Sequence, residues 1–462
     1  MPLHVIVLAA GQGKRMMSDL PKVAHMAAGR TLVGWVLETV FPLHPATTVV
    51  VVGHRADAVE RLLPDHVLSA VQEEQLGTGH ATRVGMTAIR DIDPDDTVVV
   101  LYGDLPLLTR ELVTELAVRG EGVAARLVAV EFEDPTGYGR VIRDAEGLVT
   151  SIVEERDTND EQRAIRDINA GVYSFRAGDL VEALGEISNE NAQGEYYLTD
   201  VIGILAGRGE RIEPVRAIPE EVVGINSQGQ LAEARRLLQA RTNQRLMESG
   251  VWMLDPERTY VDDTVVVEPG ARIYPGVHLE GTTTVGAGAQ VGPDVFAVDS
   301  TIGAGTTVWY AVLRGAVVGE ECEVGPYASL RPGSVLERGS KVGTFVETKN
   351  TTLGEKAKAP HLSYLGDASV GARSNIGAGT ITCNFDGFEK HRTEIGEGVF
   401  VGSDTMLVAP LTIGDGAVIG AGSVITEDVA EGALAIERTE QREIPGYARR
   451  RAQRQAAKKS EG

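Results

Sequence analysis

From Val261 onward the aliphatic side chains keep a six-residue beat. Val261, Val267, Ile273, Leu279, Val285 and Val291 recur at that interval, and the beat returns at Val318, Val324, Leu330, Leu336 and Val342. It recurs again at Val370 and Ile376 and at Ile395, Val401, Leu407, Ile413, Ile419 and Ile425. An open-faced strand alternates every second residue and a helix shows a stripe at about 3.6 residues, so neither explains this period. Small residues crowd the intervals, as in Val285-Gly286-Ala287-Gly288 and Ile419-Gly420-Ala421-Gly422. The pattern predicts short strands joined by tight turns, each strand sending one aliphatic side chain into a stacked interior. That is a parallel β-helix, whose ends and flat faces need cover and which therefore favours oligomers.

Ahead of the repeat the pattern changes. Val5 to Leu8 reads as a buried strand running into the glycine-rich turn Ala9-Ala10-Gly11-Gln12-Gly13-Lys14-Arg15-Met16. Further strands at Thr48 to Gly53 and Thr97 to Leu101, separated by helix-compatible stretches, predict a Rossmann-like α/β sheet. Leu231, Ala234, Leu238, Thr242 and Leu246 then follow helical spacing, with Ser227 as N-cap and Gly250 as stop. Such a helix spans roughly 30 Å and reads as a rigid arm, or as a helix whose N-terminal half packs on the first domain. The predicted layout is an α/β domain over 1–226, a linker helix over 227–250, a β-helix over 251–437 and a tail over 438–462. The tail, with Arg449-Arg450-Arg451 and Lys458-Lys459, reads as a solvated basic extension.

Composition narrows the classes. At 462 residues, 43% hydrophobic and 24% charged, the chain is long enough for several cores. Acids outnumber Lys and Arg 66 to 44, a formal charge of −22, which argues against a nucleic-acid surface and requires any phosphate site to be locally basic. Two cysteines, Cys322 and Cys383, exclude a disulfide framework and a multi-cysteine zinc site. No apolar run reaches membrane-spanning length and the N-terminus lacks a signal-peptide pattern, so a cytoplasmic location is expected.

Candidate chemistry sits at the element ends. Glycines after a first strand let backbone N–H groups approach phosphate oxygens, and Lys14, Arg15 and Lys22 add positive charge. The spacing is neither a Walker loop nor GxGxxG, so the turn alone leaves nucleotide binding level with an ordinary strand-to-helix turn. Tyr102-Gly103-Asp104 closes a strand, and a carboxylate at that edge is either a magnesium ligand or a turn cap. In the repeat, polar segments around Arg331-Pro332-Gly333 with Lys349, and around His361 to Asp367, break the beat, and 382–387 opens a protruding loop carrying Lys390. Interruptions of a coil commonly carry its binding face. A lone loop histidine such as His361 is ordinarily solvated or structural.

The order of motifs changes these odds. LAAGQGKRM from Leu8, SDLPKVAH from Ser18, QEEQLGTGHA from Gln72, YGDLPL from Tyr102, PTGYGRV from Pro135, DINAGVY from Asp167, NAQGEYYLTD from Asn191 and Gly224-Ile225-Asn226 follow one another. Together they resemble the sugar-nucleotide pyrophosphorylases. With the C-terminal repeat, nearly the whole chain resembles the bacterial bifunctional N-acetylglucosamine-1-phosphate uridyltransferases and glucosamine-1-phosphate N-acetyltransferases. The resemblance implies a Rossmann-like nucleotidyltransferase domain followed by a left-handed parallel β-helix, assembled as a homotrimer, making UDP-N-acetylglucosamine for peptidoglycan and lipopolysaccharide precursors.

It also implies site residues. Leu8, Ala9, Ala10, Gly11 and Arg15 would line the nucleotide site with Lys22 on the phosphates and Tyr102 and Gly103 at the strand end, while Gln72, Gly77 and Thr78 would contact uracil. Gly139, Glu154 and Asn169 would hold the acetamido sugar, and Asp104 and Asn226 would bind Mg²⁺ as hard oxygen ligands. Arg331, Lys349, Tyr364, Asn375 and Lys390 would hold glucosamine-1-phosphate beside His361 as general base, with Glu347 a candidate to orient it. Acetyl-CoA would lie along Ala378, Asn384, Phe385, Ser403, Ala421 and Arg438. Phe385 departs from the tyrosine common in relatives and leaves no hydroxyl there. Two rivals are a pyrophosphorylase for another sugar with a purely structural β-helix, and a catalytically silent scaffold. The first should lack the Arg331, Lys349, His361, Tyr364, Asn375 and Lys390 set and the second Lys22, Asp104 or Asn226; all are present.

Overall fold

Val5, Ile6 and Val7 are fully buried, as the unbroken apolar run of a central parallel strand requires, and the first sheet grows outward from them. The computed structural model describes residues 1–11 and 13–460; Gln12 of the glycine-rich turn and residues 461–462 lie outside the described residues, as do the side chains of Lys14 and of 458–460, Lys458 and Lys459 among them. By internal packing the chain divides into two compact units, Met1–Arg245 with Val261–Thr264, and Leu246–Tyr260 with Val265–Gly462.

In the first unit the strand Leu3–Leu8 pairs in parallel with Thr47–Val52 on one side and Thr97–Tyr102 on the other. Leu68–Val71 extends the first side. Beyond Thr97–Tyr102 come Asp167–Arg176, Val123–Glu131 and the edge strand Arg211–Arg216, with the hairpin Gly139–Arg143 and Val149–Val153 attached to Asp167–Arg176. The chain thus travels outward from Leu3–Leu8 to Leu68–Val71 and then returns to the opposite side of its first strand. Such a reversal opens a crevice at the carboxyl ends of the two strands that part there, here Leu8 and Tyr102, and ligands of open α/β sheets bind in it. Apolar side chains cover both faces, Val33, Val36, Leu112 and Leu116 on one and Leu180, Leu198, Val201 and Leu205 on the other.

The helix Gln228–Glu248 begins where Ser227 accepts the N–H of Leu231 on its carbonyl and that of Gln230 on its hydroxyl. Leu231, Ala234 and Leu238 pack with Met16, Leu32, Leu107 and Ile225, so the N-terminal half of the helix belongs to the core of the first unit. Glycine ends it at Gly250, whose φ of 98° few other residues adopt.

The second unit is a left-handed parallel β-helix of three sheets. From Val267 onward, every aliphatic residue of the six-residue beat is buried in it. The four blocks belong to one continuous coil, left only by the excursion between Ile381–Cys383 and Thr393–Ile395. Between them the interior is filled by Ala297, Ile302, Val308 and Leu313, and later by Thr348, Leu353, Ala359 and Leu365, all buried. The interval drops to five where a corner tightens around a left-handed residue, as at Asp299, Gly315, Asn350 and Asp367; each such corner shifts the phase and hides the repeat from a fixed period. The polar stretches around Arg331 and His361 are therefore corners and rungs of the coil and not insertions. The segment that leaves it is 384–392, between Ile381–Cys383 and Thr393–Ile395. The tail is helical over Tyr447–Ser460. Among the described residues no helix is long and apolar enough to cross a membrane.

Candidate active sites

The crevice of the first unit is a cleft of about 540 Å³ whose walls include Leu8, Ala9, Ala10, Gly11, Lys22, Gln72, Gly77, Thr78, Tyr102 and Asp104. Five separate stretches of sequence meet there, the last of them at Glu195. The segment after the first strand turns back at Gly13, where φ is 61° and a Cβ would lie 2.7 Å from Cβ of Lys22; glycine lets the two segments close. Gly103 lies behind the wall with its N–H on Leu8 O at 2.9 Å. Arg15 is exposed and lines no part of the cleft.

Lys22, Asp104 and Asn226 converge. The Ile225 N–H donates to Asp104 O at 3.0 Å, which brings Asn226 beside the carboxylate. Nζ of Lys22 pairs with Oδ2 of Asp104 and donates to Oδ1 of Asn226 at 3.1 Å. Two hard oxygens thus already share one cation, at side-chain exposures of 16% for Lys22 and 14% for Asp104. That donor set suits a magnesium ion held by a few protein oxygens together with substrate phosphates. Among the described residues no group of three or more His, Cys, Asp or Glu side chains forms a metal cage.

Behind Tyr102 the strand Asp167–Arg176 bulges between Asn169 and Tyr173, and bulges re-aim side chains next to functional sites. Gly171 sits in the bulge at φ 76°, and a Cβ there would meet the Tyr102 ring at 2.4 Å. Asn169 is turned so that its Nδ2 donates to the Tyr173 hydroxyl at 2.6 Å and its Oδ1 accepts from Gly171 N. Gly139 lies opposite Asn169 in register. The Thr199 hydroxyl donates to Glu154 Oε1 at 3.1 Å. Burial raises the Glu154 pKa, the charges of Asp200, Asp157 and Glu195 adding to it against the Thr199 hydrogen bond. Burial likewise raises the Tyr102 pKa, Glu154 adding to the shift. Beneath these groups the buried Arg140 forms an ion pair with Glu155 at 2.7 Å and donates to Tyr138 O and to Arg163 O, tying together the segments that flank Gly139 and Glu154.

In the coil the cluster is built by rungs. Glu347 and Tyr364 are direct neighbours in register, as are Lys349 and Gly366, and Thr344 and His361. Asn375 follows Lys358 on the adjoining sheet. Lys349 and Lys390 press against each other, and this contact lowers the Lys349 pKa. Burial opposes ionisation of Asp367, but hydrogen bonds from Asn350 at 2.8 Å and Asn384 at 2.5 Å, with the charges of Lys349 and Lys390, outweigh it and keep the carboxyl below its ordinary range. Two ammonium groups held together, with Arg331 contributing to the same field, form a concentration of positive charge that an anion would relieve. The Glu347 carboxylate takes the Arg331 guanidinium at 2.8 Å, so its partner is Arg331 and not the His361 ring. His361 is exposed, and its ring has no hydrogen-bond partner among the described residues.

Ala378, Ser403 and Ala421 occupy one corner of the coil on successive rungs, Asp404 N–H donating to Ala378 O and Gly422 N–H to Ser403 O. Arg438 reaches back to Ala421 O at 3.0 Å. Phe385 stands exposed on the protruding segment, bridged to Lys390, and a His391 to Asp386 contact of 2.8 Å braces that segment.

Sequence reasoning missed Val23, Gln75, Ala81 and Glu195 in the cleft wall, Thr199 on Glu154, and His80, whose Nδ1 lies 3.0 Å from Gln72 Nε2. They lie inside the same motif strings, but their place in the wall depends on tertiary packing; Thr199, for one, meets Glu154 across 45 residues of chain.

Comparison with known proteins agrees with this two-part build. Residues 5–249 match the MobA-like NTP transferase domain, and residues 392–427 match the bacterial transferase hexapeptide (six repeats). The chain is 48% identical to a protein named bifunctional protein GlmU from Streptomyces avermitilis, over 100% of this chain and 97% of that one. It is 49% identical to the protein of that name from Streptomyces coelicolor, over 100% and 97%, and 48% identical to that from Thermobifida fusca, over 97% and 95%.

Proposed function

The chain belongs to the GlmU family of bifunctional proteins, and from that premise we propose that it acetylates glucosamine-1-phosphate with acetyl-CoA and then joins the product to UMP from UTP, releasing pyrophosphate and forming UDP-N-acetylglucosamine. The observation that carries this reading is the convergence of Asn226 on Lys22 and Asp104, which line one cleft together with Gln72, Gly77 and Thr78.

In the uridyl step the N-terminal glycine-rich segment and Lys22 hold the triphosphate. Gln72, Gly77 and Thr78 read the base, and Gly139, Glu154 and Asn169 orient the sugar. A sugar-phosphate oxygen attacks the α-phosphorus in line, and pyrophosphate departs with its charge balanced by Lys22. Mg²⁺, held with the phosphates by Asp104 and Asn226, supplies further neutralisation when bound.

In the acetyl step Arg331, Lys349 and Lys390 hold the sugar phosphate while Tyr364 and Asn375 orient the ring. His361 takes a proton from the amine as the nitrogen attacks the thioester carbonyl, and coenzyme A leaves as its thiol. The corner of Ala378, Ser403 and Ala421, with Asn384, Phe385 and Arg438, forms the track for acetyl-CoA. The exposure of His361 and of this corner within one chain favours a homotrimer in which a neighbouring coil covers them.

The decisive experiment incubates the purified full-length protein with UTP, acetyl-CoA, glucosamine-1-phosphate and Mg²⁺. UDP-N-acetylglucosamine and free coenzyme A thiol should appear together. Thiol without sugar nucleotide would leave the first unit without its assigned activity, and neither product would sink the proposal.

A further inference from the structure

Two acceptors fix the orientation of the Gln72 amide. Its Nε2 lies 3.1 Å from the carbonyl oxygen of Gly77 and 3.0 Å from Nδ1 of His80. A carbonyl oxygen only accepts, so the atom facing Gly77 is the NH₂ group and the amide cannot be reversed without losing that bond. The second NH₂ hydrogen falls to His80 Nδ1, which accepts it only as the unprotonated ring nitrogen. Gln72 is 3% exposed and lines the cleft. Among the described residues its amide oxygen receives no hydrogen bond, yet it is not among the atoms sealed from solvent. At this point the cleft therefore presents an acceptor.

Pyrimidines differ on the edge that such a group meets. Uracil carries a hydrogen on N3, whereas cytosine carries a lone pair there. We propose that His80 is a specificity-determining residue of the uridyl site, a positioning residue that acts through Gln72. By accepting from Nε2 it holds the amide oxygen toward the base, so the cleft takes a pyrimidine with N3–H and repels one with an N3 lone pair. Turned over, the same amide would offer NH₂ and pair with cytosine instead. His80 lies at the start of the helix Thr78–Thr87 and outside the cleft wall, so it acts without touching the nucleotide. The inference rests on the proposed uridyl transfer and adds to it the origin of base choice.

The test compares kcat/KM for UTP and CTP, with N-acetylglucosamine-1-phosphate and Mg²⁺, in the full-length protein and its His80→Ala and His80→Asn variants. Asparagine carries its amide oxygen on Cγ, where histidine carries Nδ1, and so can keep the acceptor; alanine cannot. His80→Ala should lower the UTP to CTP ratio about tenfold or more, while His80→Asn keeps the wild-type ratio. The ratio of dUTP to dTTP, which differ at C5 and share N3–H, should stay the same in all three proteins. Acetyl transfer by each preparation reports that it is folded. An unchanged UTP to CTP ratio in His80→Ala, with both rates lowered together, would show a merely structural histidine and overturn the inference alone. Absence of UTP turnover in the wild type would overturn the proposed uridyl transfer and the inference with it.

Discussion

The two candidate sites use similar groups in opposite settings. Lys22, Asp104 and Asn226 come from three distant stretches of chain and meet where the strand order reverses between the parallel neighbours Leu3–Leu8 and Thr97–Tyr102. Arg331, Lys349 and Asp367 instead recur eighteen residues apart, one per coil. The settings differ in solvent too. The Lys22 and Asp104 side chains are 16% and 14% exposed, against 43% and 41% for Arg331 and Glu347. An ion pair screened by water contributes about 0–1 kcal/mol, whereas removing one partner of a buried pair leaves a costly lone charge. Among the charged groups, topology therefore builds a site in which single residues carry large effects, and repetition builds one in which several exposed cations share the work.

The sharpest division is between the two chemistries. His361→Ala should lower acetyl-transfer turnover by about 10²–10⁴-fold, the usual cost of losing a general base, while uridyl transfer stays unchanged. A partial recovery is expected at higher pH, where more of the amine is neutral. If only KM rises, His361 is a binding contact. Next in size, Asp104→Ala should lower uridyl transfer by about 10²–10³-fold, as for other electrostatic stabilisers in a sheltered site, and leave acetylation intact. A loss of both activities in either variant would break the comparison, because the two sites would then not be independent.

How much of this could be read from residues alone follows the same divide. The six-residue beat reports directly on the coil, since each aliphatic side chain faces one axis, yet Ile302, Leu313 and Leu353 escaped it because five-residue corners shift the phase. Thr348 escaped for another reason: its hydroxyl is satisfied within the coil by Ser334 at 2.8 Å, so a polar residue fills an apolar position. In the first unit the glycine-rich turn and Tyr102-Gly103-Asp104 marked strand ends, which is where ligands gather. Nothing local placed Thr199 beside Glu154 or His80 behind Gln72, because those contacts depend on helix position and register. The orienting role considered for Glu347 failed because Arg331, on the neighbouring rung, presents a full positive charge to the same carboxylate.

Smaller effects belong to the exposed cations. Arg331→Ala should raise KM for glucosamine-1-phosphate roughly tenfold with little change in turnover, because a phosphate contact persists from ground state to transition state. A large fall in kcat instead would place Arg331 in the chemistry and erase the contrast with Lys22.

The smallest expected signal tests the coil's cation pair directly. Lys390 beside Lys349 disfavours a second positive charge, so the Lys349 pKa is lowered. A lowered amine pKa means a larger neutral fraction at any pH below the ordinary lysine range, and neutral amine is the form that reacts with acylating reagents. At about pH 9, Lys349 should be acylated faster than solvent-exposed lysines such as Lys358, as followed by peptide mass spectrometry. Lys390→Met should slow the reaction at Lys349 by restoring its charge. Glucosamine-1-phosphate should protect Lys349, because a dianion between the two ammonium groups favours their protonated forms and covers them. If Lys349 reacts no faster than Lys358, or if Lys390→Met leaves its rate unchanged, the two ammonium groups are not coupled in solution and do not form a prearranged phosphate site.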